Sequence, residues 1–393
     1  MSEQPLERRG ATPDDPVRVL AVLGTRPEVV KMAPVLAALA RDPRAAVRVC
    51  VTGQHREMLD DLLPVFGIVP DLDLDIMRAD QTLSDVLAAA TAGLQRVLGS
   101  ERPACVVAEG DTTTVMAAAI AAFHEQIPFA HVEAGLRSHD LARPFPEEFN
   151  RRVADVAARW CFAPTPRARD NLLAEGVAAD RIIVTGNPVV DALVDVAARP
   201  FAITGNLERR LGGAKRLVLV TAHRRESFGE PFRHLCHALR DIAEAHRDDV
   251  QVVYPVHLNP KVREPVRSIL GDVPNVALLE PLDYVTFVHV MKRAYVILTD
   301  SGGIQEEAPT LDVPVLVMRD VTERPEAVER GTARIVGTER SVIATAANEL
   351  LSDPAARRRM IGRGNPYGDG HSGPRIAAAL LGDRVEEFRP TAR

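Results

Sequence analysis

Short apolar segments that alternate with helix-like stretches constrain the fold of this chain more than any other feature. The first segment, Val17–Leu23, is rich in valine and ends at Gly24, which is typical of a buried parallel strand. Similar segments form one series before about Val190 and a second series after it. Strands that alternate with helices of about 10–15 residues indicate βαβ units and a parallel sheet. The sequence therefore predicts an α/β protein with two Rossmann-like doubly wound lobes.

This alternation predicts the individual elements. In the first series we expect strands at Val17–Leu23, Ala46–Thr52, Leu72–Ile76, Ala104–Ala108, Pro128–Val132, Trp160–Ala163 and Ile182–Thr185. In the second series we expect strands at Leu217–Thr221, Val250–Pro255, Val276–Leu279, Val296–Thr299 and Pro314–Met318. The helices expected between them include Pro27–Arg41, Gln54–Phe66, Gln81–Leu98, Thr113–His124, Pro146–Ala158, Arg167–Glu175, Pro231–His246 and Tyr284–Ala294.

The predicted domains are a flexible tail at 1–16, a first lobe at 17–190, a second lobe at 191–365 and a C-terminal segment at 366–393. Ligands of doubly wound sheets bind at the carboxyl ends of the strands. With two such sheets, we expect the active site in the cleft between the lobes.

Charge and cysteine content exclude several classes of protein. The chain has 48 Lys and Arg against 54 Asp and Glu, a formal net charge of −6, and a pI of about 6.0. This balance disfavours a general nucleic-acid binder, which needs surplus positive charge. No apolar run reaches the roughly 18 residues of a membrane span. The four cysteines are far apart in apolar segments, which indicates reduced core residues of a cytosolic protein and predicts no metal site.

Polar residues follow the predicted strands of the first lobe. Arg26 and Lys31 come after the first strand, where a dinucleotide fold carries G-x-G-x-x-G, and a guanidinium there can bind a phosphate. Asp111 follows a later strand, where it is either a functional acid or the cap of the next helix. Glu133 ends another strand, with Arg137 as an alternative ion-pair partner.

A pair of acids opens a later helix of the same lobe. Glu147 and Glu148 follow two prolines, and acids in this position also suit the positive end of the helix dipole. The residue pattern alone leaves a helix start and a functional acid pair as alternatives.

The second lobe has strand ends that suit an anion. His223 follows its first strand beside two arginines. Ser301, Gly302 and Gly303 follow a later strand and open a helix, so their backbone N–H groups are available to a negatively charged group. Glu307 lies further along that helix, together with Glu306. One of these acids can accept both hydroxyls of a ribose, and compensation of the helix dipole is the alternative.

Motifs in a fixed order then identify a family. The chain carries GTRPE, TGQHREM, GDTTT, HVEAGLR, PFPEEFNR, HRRESFG, YPVHLNP, TDSGGIQEEAP and TERPEA. It closely resembles the non-hydrolysing UDP-N-acetylglucosamine 2-epimerases from about Val17 to Leu381. The resemblance implies a fold of glycosyltransferase-B type, a C-terminal helix that crosses back to the first lobe, and a cytoplasmic homodimer. It also implies interconversion of UDP-GlcNAc and UDP-ManNAc without a cofactor, by anti elimination of UDP to 2-acetamidoglucal and re-addition.

The resemblance also assigns roles to individual residues. The implied catalytic residues are Asp111, Glu133, Glu147, His223 and Lys31, with Glu148 as an alternative to Glu147. The implied UDP and substrate contacts are Arg26, Phe287 on the uracil side, Ser301, Gly302, Gly303, Glu307 on the ribose and Arg324. No metal ligand is implied.

Some positions differ from the usual family pattern. Glu109 stands where Gln or His is more common, Ala222 where Gly is frequent, and Arg143 where a small residue is common. Glu109 and Arg143 could signal a changed sugar.

A second, allosteric UDP-GlcNAc site occurs in bacterial members of the family. Gln54 and His55 match the motif that contacts it, but Asp80 stands where the allosteric members have an Arg. A carboxylate repels a diphosphate, so we expect weak activation or none.

Other activities remain as alternatives. A hydrolysing epimerase would share most of the motifs and release free ManNAc, and the substrate could be a related UDP-HexNAc. A retaining glycosyltransferase of the same fold would not need the acids of the first lobe. An inactive nucleotide-sugar sensor would keep Arg26 and Ser301 and lose those acids, which are present here.

Overall fold

Two compact units make up the part of the chain that is described. The computed structural model describes residues 12–53, 61–213 and 215–390, without the side chain of Arg225. The first lobe contains the described residues up to Ala192 together with Tyr367–Arg389, and the second lobe contains Leu193–Pro366.

The first lobe is built on a seven-stranded parallel sheet. Its strands are β1 (Val17–Leu23), β2 (Ala45–Val51), β3 (Leu72–Asp73), β4 (Cys105–Glu109), β5 (Phe129–Val132), β6 (Ala158–Ala163) and β7 (Ile182–Val184). They lie in the order β3-β2-β1-β4-β5-β6-β7. The helices are α1 (Arg26–Arg41), α2 (Leu83–Glu101), α3 (Thr113–His124), α4 (Glu147–Ala157), α5 (Pro166–Ala174) and α6 (Pro188–Ala198), which contains the boundary between the lobes.

The second lobe repeats the plan with a six-stranded parallel sheet. Its strands are β8 (Arg216–Thr221), β9 (Val250–Pro255), β10 (Val276–Leu279), β11 (Ala294–Thr299), β12 (Val315–Val317) and β13 (Ala333–Ile335). They lie in the order β10-β9-β8-β11-β12-β13. The helices are α7 (Gly205–Arg210), α8 (Glu230–Ala245), α9 (Pro260–Leu270), α10 (Tyr284–Arg293), α11 (Gly302–Glu307), α12 (Pro325–Arg330), α13 (Arg340–Ser352) and α14 (Pro354–Arg358).

A last helix, α15 (Ser372–Leu380), belongs to the first lobe and packs against α1. Their contact is close because Gly373 has no side chain: a Cβ added there would lie 2.6 Å from the carbonyl oxygen of Pro34. Any larger residue would push α15 away from α1.

Buried strands explain why the predicted sheets form. Val19 to Leu23 are at most 1% exposed, and the facing helix α3 presents alanines, such as Ala117 and Ala121, that allow it to approach the sheet closely. The four cysteines are all buried and free, as predicted. In the described ranges, none of the helices combines the length and apolar character that crossing a bilayer requires.

The predicted fold of two doubly wound sheets is confirmed, and the differences are local. Strand β13 was not predicted, because its three residues include Arg334 and give too short an apolar signal. A short helix, α7, forms in a segment expected to contain loop. Most of the helix predicted at Gln54–Phe66 lies outside the described residues, and its end forms a 3-10 turn at Pro64–Phe66. The predicted domain boundaries stay a prediction.

Candidate active site

The carboxyl ends of β4 and β5 bring two acids to one lysine of α1. The ammonium of Lys31 lies 2.8 Å from the carboxylate of Glu109 and also contacts the carboxylate of Glu133. The side chains of Glu109 and Glu133 are 1% and 4% exposed. Burial raises the pKa of Glu109 well above its usual value; Lys31 partly opposes this and the neighbouring Glu133 adds to it. Lys31 therefore lies beside two buried acids, and the burial of Glu109 favours its protonated form.

Backbone conformation aims Glu133 into this cluster. Its φ is +67°, a left-handed conformation that non-glycine residues rarely adopt. The amide of Asn187 lies 3.5 Å from the second carboxylate oxygen of Glu133. The ion pair considered from the sequence, Glu133 with Arg137, is wrong, because Arg137 binds Asp155 and Glu175 instead.

Asp111 follows β4 and is not the cap of α3. That cap is Thr112, whose hydroxyl accepts a hydrogen bond from the backbone N–H of Val115. The carboxylate of Asp111 pairs with Arg151 of α4, and its carbonyl accepts from the side chain of Asn150 at 2.9 Å. The capping alternative for Asp111 is therefore wrong, and its carboxylate remains 31% exposed at the strand end.

A buried histidine holds the loop that carries Asp111. The two ring nitrogens of His131 lie 2.6 Å from the carboxylate of Asp155 and 2.7 Å from the carbonyl of Gly110. The imidazole therefore links the carboxylate of Asp155 to the carbonyl of Gly110. Burial alone would raise the pKa of Asp155, but His131 and Arg137 outweigh it and lower that pKa. This network fixes the peptide that precedes Asp111.

The two acids at the start of α4 have different environments. Glu148 is fully buried, accepts from the backbone N–H of Ser138 at 3.0 Å, and pairs with Arg152 at 3.0 Å. Glu147 is half-buried, and its Oε2 has no hydrogen-bond partner within the described residues. The structure thus uses Glu148 to hold the preceding loop and leaves Glu147 available to a ligand.

A further acid, Glu28, was not singled out from the sequence. It accepts hydrogen bonds from the backbone N–H of Gly24 at 2.6 Å and from the hydroxyls of Thr25 and Thr112 at 2.9 and 2.8 Å. Burial raises its pKa to about 7, although these hydrogen bonds oppose the shift. The signal for it in the sequence is the motif GTRPE, because a Thr followed three residues later by a Glu is typical of a helix start.

Gly24 itself is required by close packing. A Cβ at this position would lie 2.3 Å from the hydroxyl of Thr114. Arg26, the first residue of α1, is half-buried beside this turn.

The second lobe has a corresponding loop after β8. The buried carboxylate of Asp300 accepts from the backbone N–H groups of His223 and Arg224, each at 2.7 Å. The ring of His223 stacks on His257, with 5.2 Å between centroids. Partial burial lowers the pKa of His223, opposed by Asp300 and reinforced by His257 and Arg224. The loop is therefore held by Asp300, and the ring of His223 faces outward beside cationic groups.

Two guanidinium groups, those of Arg224 and Arg324, lie beside the first residue of α11. A Cβ added to Gly302 would lie 3.9 Å from both Arg224 and Arg324. The hydroxyl of Ser301 makes no capping hydrogen bond to the described residues. Arg324 also pairs with Glu306. The backbone N–H of Ser301 already donates to the hydroxyl of Thr299 at 2.9 Å, so the expectation that it is available to an anion is wrong. The backbone N–H groups of Gly302 and Gly303, beside this positive charge, suit an anionic ligand.

Glu306 and Glu307 lie at the C-terminal end of α11. The positive end of the helix dipole is at the N-terminus, so compensation of the dipole does not explain these acids. Glu307 is buried and lies 3.5 Å from the hydroxyl of Tyr284 on α10. Phe287 lies one turn further along α10 and is half-buried. The second lobe thus contains a carboxylate, Glu307, and an aromatic ring, Phe287, that a ligand can contact.

The structure divides the predicted residues between the two lobes. Those of the first lobe are Arg26, Lys31, Asp111, Glu133 and Glu147; those of the second are His223, Phe287, Ser301, Gly302, Gly303, Glu307 and Arg324. Gln54 and His55, predicted for an allosteric site, lie outside the described residues. Across the described ranges, no three His, Cys, Asp or Glu side chains are grouped so as to hold a metal ion.

Comparison with known proteins identifies the family of the chain. Residues 37–381 match the sequence model of a family described as UDP-N-acetylglucosamine 2-epimerase. The UDP-N-acetylglucosamine 2-epimerase of Escherichia coli K12 is 51% identical over 376 residues, 94% of this chain and 100% of that protein.

Solved structures give the same result. The UDP-GlcNAc 2-epimerase of Neisseria meningitidis, crystallised bound to UDP-GlcNAc, is 43% identical, with a TM-score of 0.86 over 93% of this chain and 100% of that one. The Methanocaldococcus jannaschii enzyme in complex with UDP-GlcNAc and UDP is 32% identical, with a TM-score of 0.76 over 93% and 99%. The predicted pair of Rossmann-like lobes of glycosyltransferase-B type is confirmed. The chain is an enzyme that belongs to the UDP-N-acetylglucosamine 2-epimerase family.

Proposed function

We propose that the enzyme is non-hydrolysing and interconverts UDP-GlcNAc and UDP-ManNAc. The observation that carries this proposal is the Lys31 cluster: two buried acids share one ammonium at the strand ends that also carry Asp111. Such a site is suited to moving a proton on and off carbon. Simple binding of a nucleotide sugar would not require it.

The chemistry explains why acids and an anion site are both needed. The proton on C2 of the sugar is not next to a carbonyl and is very weakly acidic. If the C1–O bond breaks, its electron pair leaves with the diphosphate of UDP, and the positive charge that develops at C1 acidifies the C2 proton. A carboxylate then takes that proton, and the C2–H electrons form the double bond of 2-acetamidoglucal.

Protonation of C2 from the opposite face of the sugar, followed by return of UDP, completes the inversion at C2. A protonated acid delivers a proton to C2, and the diphosphate oxygen attacks C1 to regenerate the nucleotide sugar. Acid–base groups on two sides of the sugar are required. Glu133, Asp111 and Glu147 are the proposed acids, and Lys31 contacts the carboxylate of Glu133.

The second lobe supplies the groups proposed to hold UDP. Gly302 and Gly303 offer backbone N–H groups, and Ser301 offers its hydroxyl. Arg324 adds positive charge and His223 an imidazole ring to stabilise the departing diphosphate. Glu307 is proposed for the ribose hydroxyls and Phe287 for the uracil, and Arg26 for the diphosphate. UDP-GlcNAc bound in the Neisseria meningitidis relative supports the choice of ligand.

The turn after β1 differs from a standard dinucleotide site. It lacks G-x-G-x-x-G, and the backbone N–H of Gly24 already donates to Glu28. This supports a route by elimination rather than by transient oxidation with NAD.

The test uses purified protein and UDP-GlcNAc in D2O, followed by NMR. We expect UDP-ManNAc to form and deuterium to enter C2 of both nucleotide sugars. Oxygen-18 placed in the C1–O bridge should also scramble into the diphosphate. Epimerisation that keeps the C2 proton would contradict the proposal, and release of free ManNAc would show the hydrolysing activity instead.

A further inference from the structure

One oxygen of the buried carboxylate of Asp300 is not used by the loop that this residue holds. Its Oδ2 accepts from the backbone N–H groups of His223 and Arg224, each at 2.7 Å. Its Oδ1 is buried and has no hydrogen-bond partner among the residues that the structure describes. Because an unpaired buried acceptor costs free energy, this oxygen is expected to have a partner when the enzyme works.

The loop after β8 is held in place without this second oxygen. The hydroxyl of Tyr254 donates to the carbonyl of Ala222 at 2.5 Å. The backbone N–H of Asp300 donates to the carbonyl of Thr221 at 3.1 Å. Together with the two bonds to Oδ2, these contacts fix the backbone of the loop, so Oδ1 is left for a side chain that the loop carries.

The imidazole of His223 lies next to this oxygen. Its Nδ1 is 3.8 Å from Oδ1, which is slightly beyond hydrogen-bond distance. The side chain of His223 is 44% exposed, so its ring has room to move closer by the remaining distance of about 1 Å. Hydrogen bonds of catalytic groups are often long in a free enzyme and shorten when the substrate binds.

We propose that Asp300 is a positioning residue whose Oδ1 accepts a hydrogen bond from Nδ1 of His223 when the nucleotide sugar binds. The bond directs Nε2 away from Asp300, toward the diphosphate, and stabilises the positively charged form of the ring. The proposal rests on the proposed function, in which His223 stabilises the diphosphate as the C1–O bond breaks. No bond is made or broken at Asp300 itself.

The charges around the ring decide the sign of the expected pH effect. The titratable and charged groups that face it are Asp300 just after β11, His257 after β9 and Arg224 of its own loop. Partial burial lowers the pKa of His223, and Asp300 opposes this shift. His257 and Arg224 lower the same pKa further. Removing the charge of Asp300 should therefore make His223 lose its proton at lower pH.

Asp300→Asn tests the proposal with the loop kept in place, because one amide oxygen can accept both backbone N–H groups. NMR signals of the His223 ring, assigned with His223→Asn, are followed against pH in the free protein and with UDP bound. We expect the pKa of His223 to be about one unit or more lower in Asp300→Asn than in the wild type. An unchanged titration in both states would overturn the proposal, whether or not the enzyme is an epimerase.

The matched control is Asp191 of α6 in the first lobe. It is also a buried acid that accepts a backbone N–H group, that of Gly373 at 2.8 Å. Asp191→Asn should leave the titration of His223 unmoved. An equal shift in the two variants would indicate a general effect of lost charge and would overturn the proposal.

A double-mutant cycle separates positioning of the ring from support of the loop. Asp300→Asn should lower kcat about 10-fold in the wild type, the equivalent of one pKa unit. It should have little further effect in a His223→Asn background, because Asp300 acts through the ring. Equal losses in both backgrounds would mean that Asp300 only holds the loop.

A last measurement needs no variant of Asp300, so it applies even if Asp300→Asn does not fold. In nitrogen-15 spectra of the wild type with UDP bound, at a pH where the His223 ring is neutral, the remaining proton should lie on Nδ1. A carboxylate that accepts from Nδ1 favours this tautomer. A proton on Nε2 instead would overturn the proposal.

Discussion

The two lobes have the same sheet plan and opposite chemistry at their strand ends. In each lobe, a buried carboxylate accepts the backbone N–H of the loop after its first strand: Glu28 binds Gly24 in the first, and Asp300 binds His223 and Arg224 in the second. The remaining groups differ. The first lobe gathers acids around one lysine, and the second gathers arginines around glycine backbone. In the proposed mechanism, one architecture thus supplies proton transfer in one lobe and anion binding in the other.

The largest expected effect separates these two tasks. Glu133→Gln and Asp111→Asn should each lower turnover by at least ~10², the usual contribution of a general acid or base. The affinity for UDP, measured by calorimetry, should change little, because its proposed ligands lie mainly in the second lobe. Near-normal turnover in either variant would remove that acid from the proposed mechanism.

The acids of α4 sharpen the comparison within the first lobe. Glu147→Gln should lower turnover by about 10² with an unchanged melting temperature, because no described residue bonds its buried oxygen. Glu148→Gln should lower the melting temperature instead, because it leaves Arg152 without its buried partner. Thermal unfolding and turnover per folded molecule measure the two effects. If only Glu147→Gln lowered the melting temperature, the roles would be exchanged: Glu147 would be the structural acid and Glu148 the one proposed for catalysis.

The second lobe should show the opposite response. Arg324→Ala should weaken UDP binding about 10-fold or more, the value of one charge-assisted hydrogen bond. Arg358→Ala, which removes an exposed arginine of α14, is the matched control and should bind UDP normally. Equal loss in the two variants would indicate a general effect of charge, and the proposed diphosphate site would then be wrong.

The smallest expected effect concerns stability and pH. The folded protein holds the proton on Glu28 up to about pH 7, whereas the unfolded chain releases it near its usual value of 4.5. The folded state therefore binds more protons in this window, and the free energy of unfolding falls as pH rises from about 4.5 to about 7.

Glu28→Gln should make that fall less steep in urea unfolding. Asp180→Asn, on an exposed turn of the same lobe, serves as the control and should keep the wild-type slope. An identical slope in Glu28→Gln would mean that this carboxyl is already ionised at low pH.

Individual residues show where sequence reasoning succeeded and where it did not. The strand Val17–Leu23 and the helix Thr113–His124 were predicted with their observed bounds, because apolar periodicity is a local signal. The partners of Glu133 and Asp111 were not predicted correctly. Lys31 and Arg151 lie 102 and 40 residues away from them, and periodicity carries no information about such contacts.

The sequence by itself determined the alternation of strands and helices, the two sheets, and the strand-end positions of the functional residues. These follow from local hydrophobicity and from the rule that parallel strands end at one edge. Only the tertiary structure decided which acid is buried, which is paired and which is available. Glu109, Glu147 and Glu148 have the same side chain, and their differences come from burial and neighbouring charge, which arise only when distant segments meet.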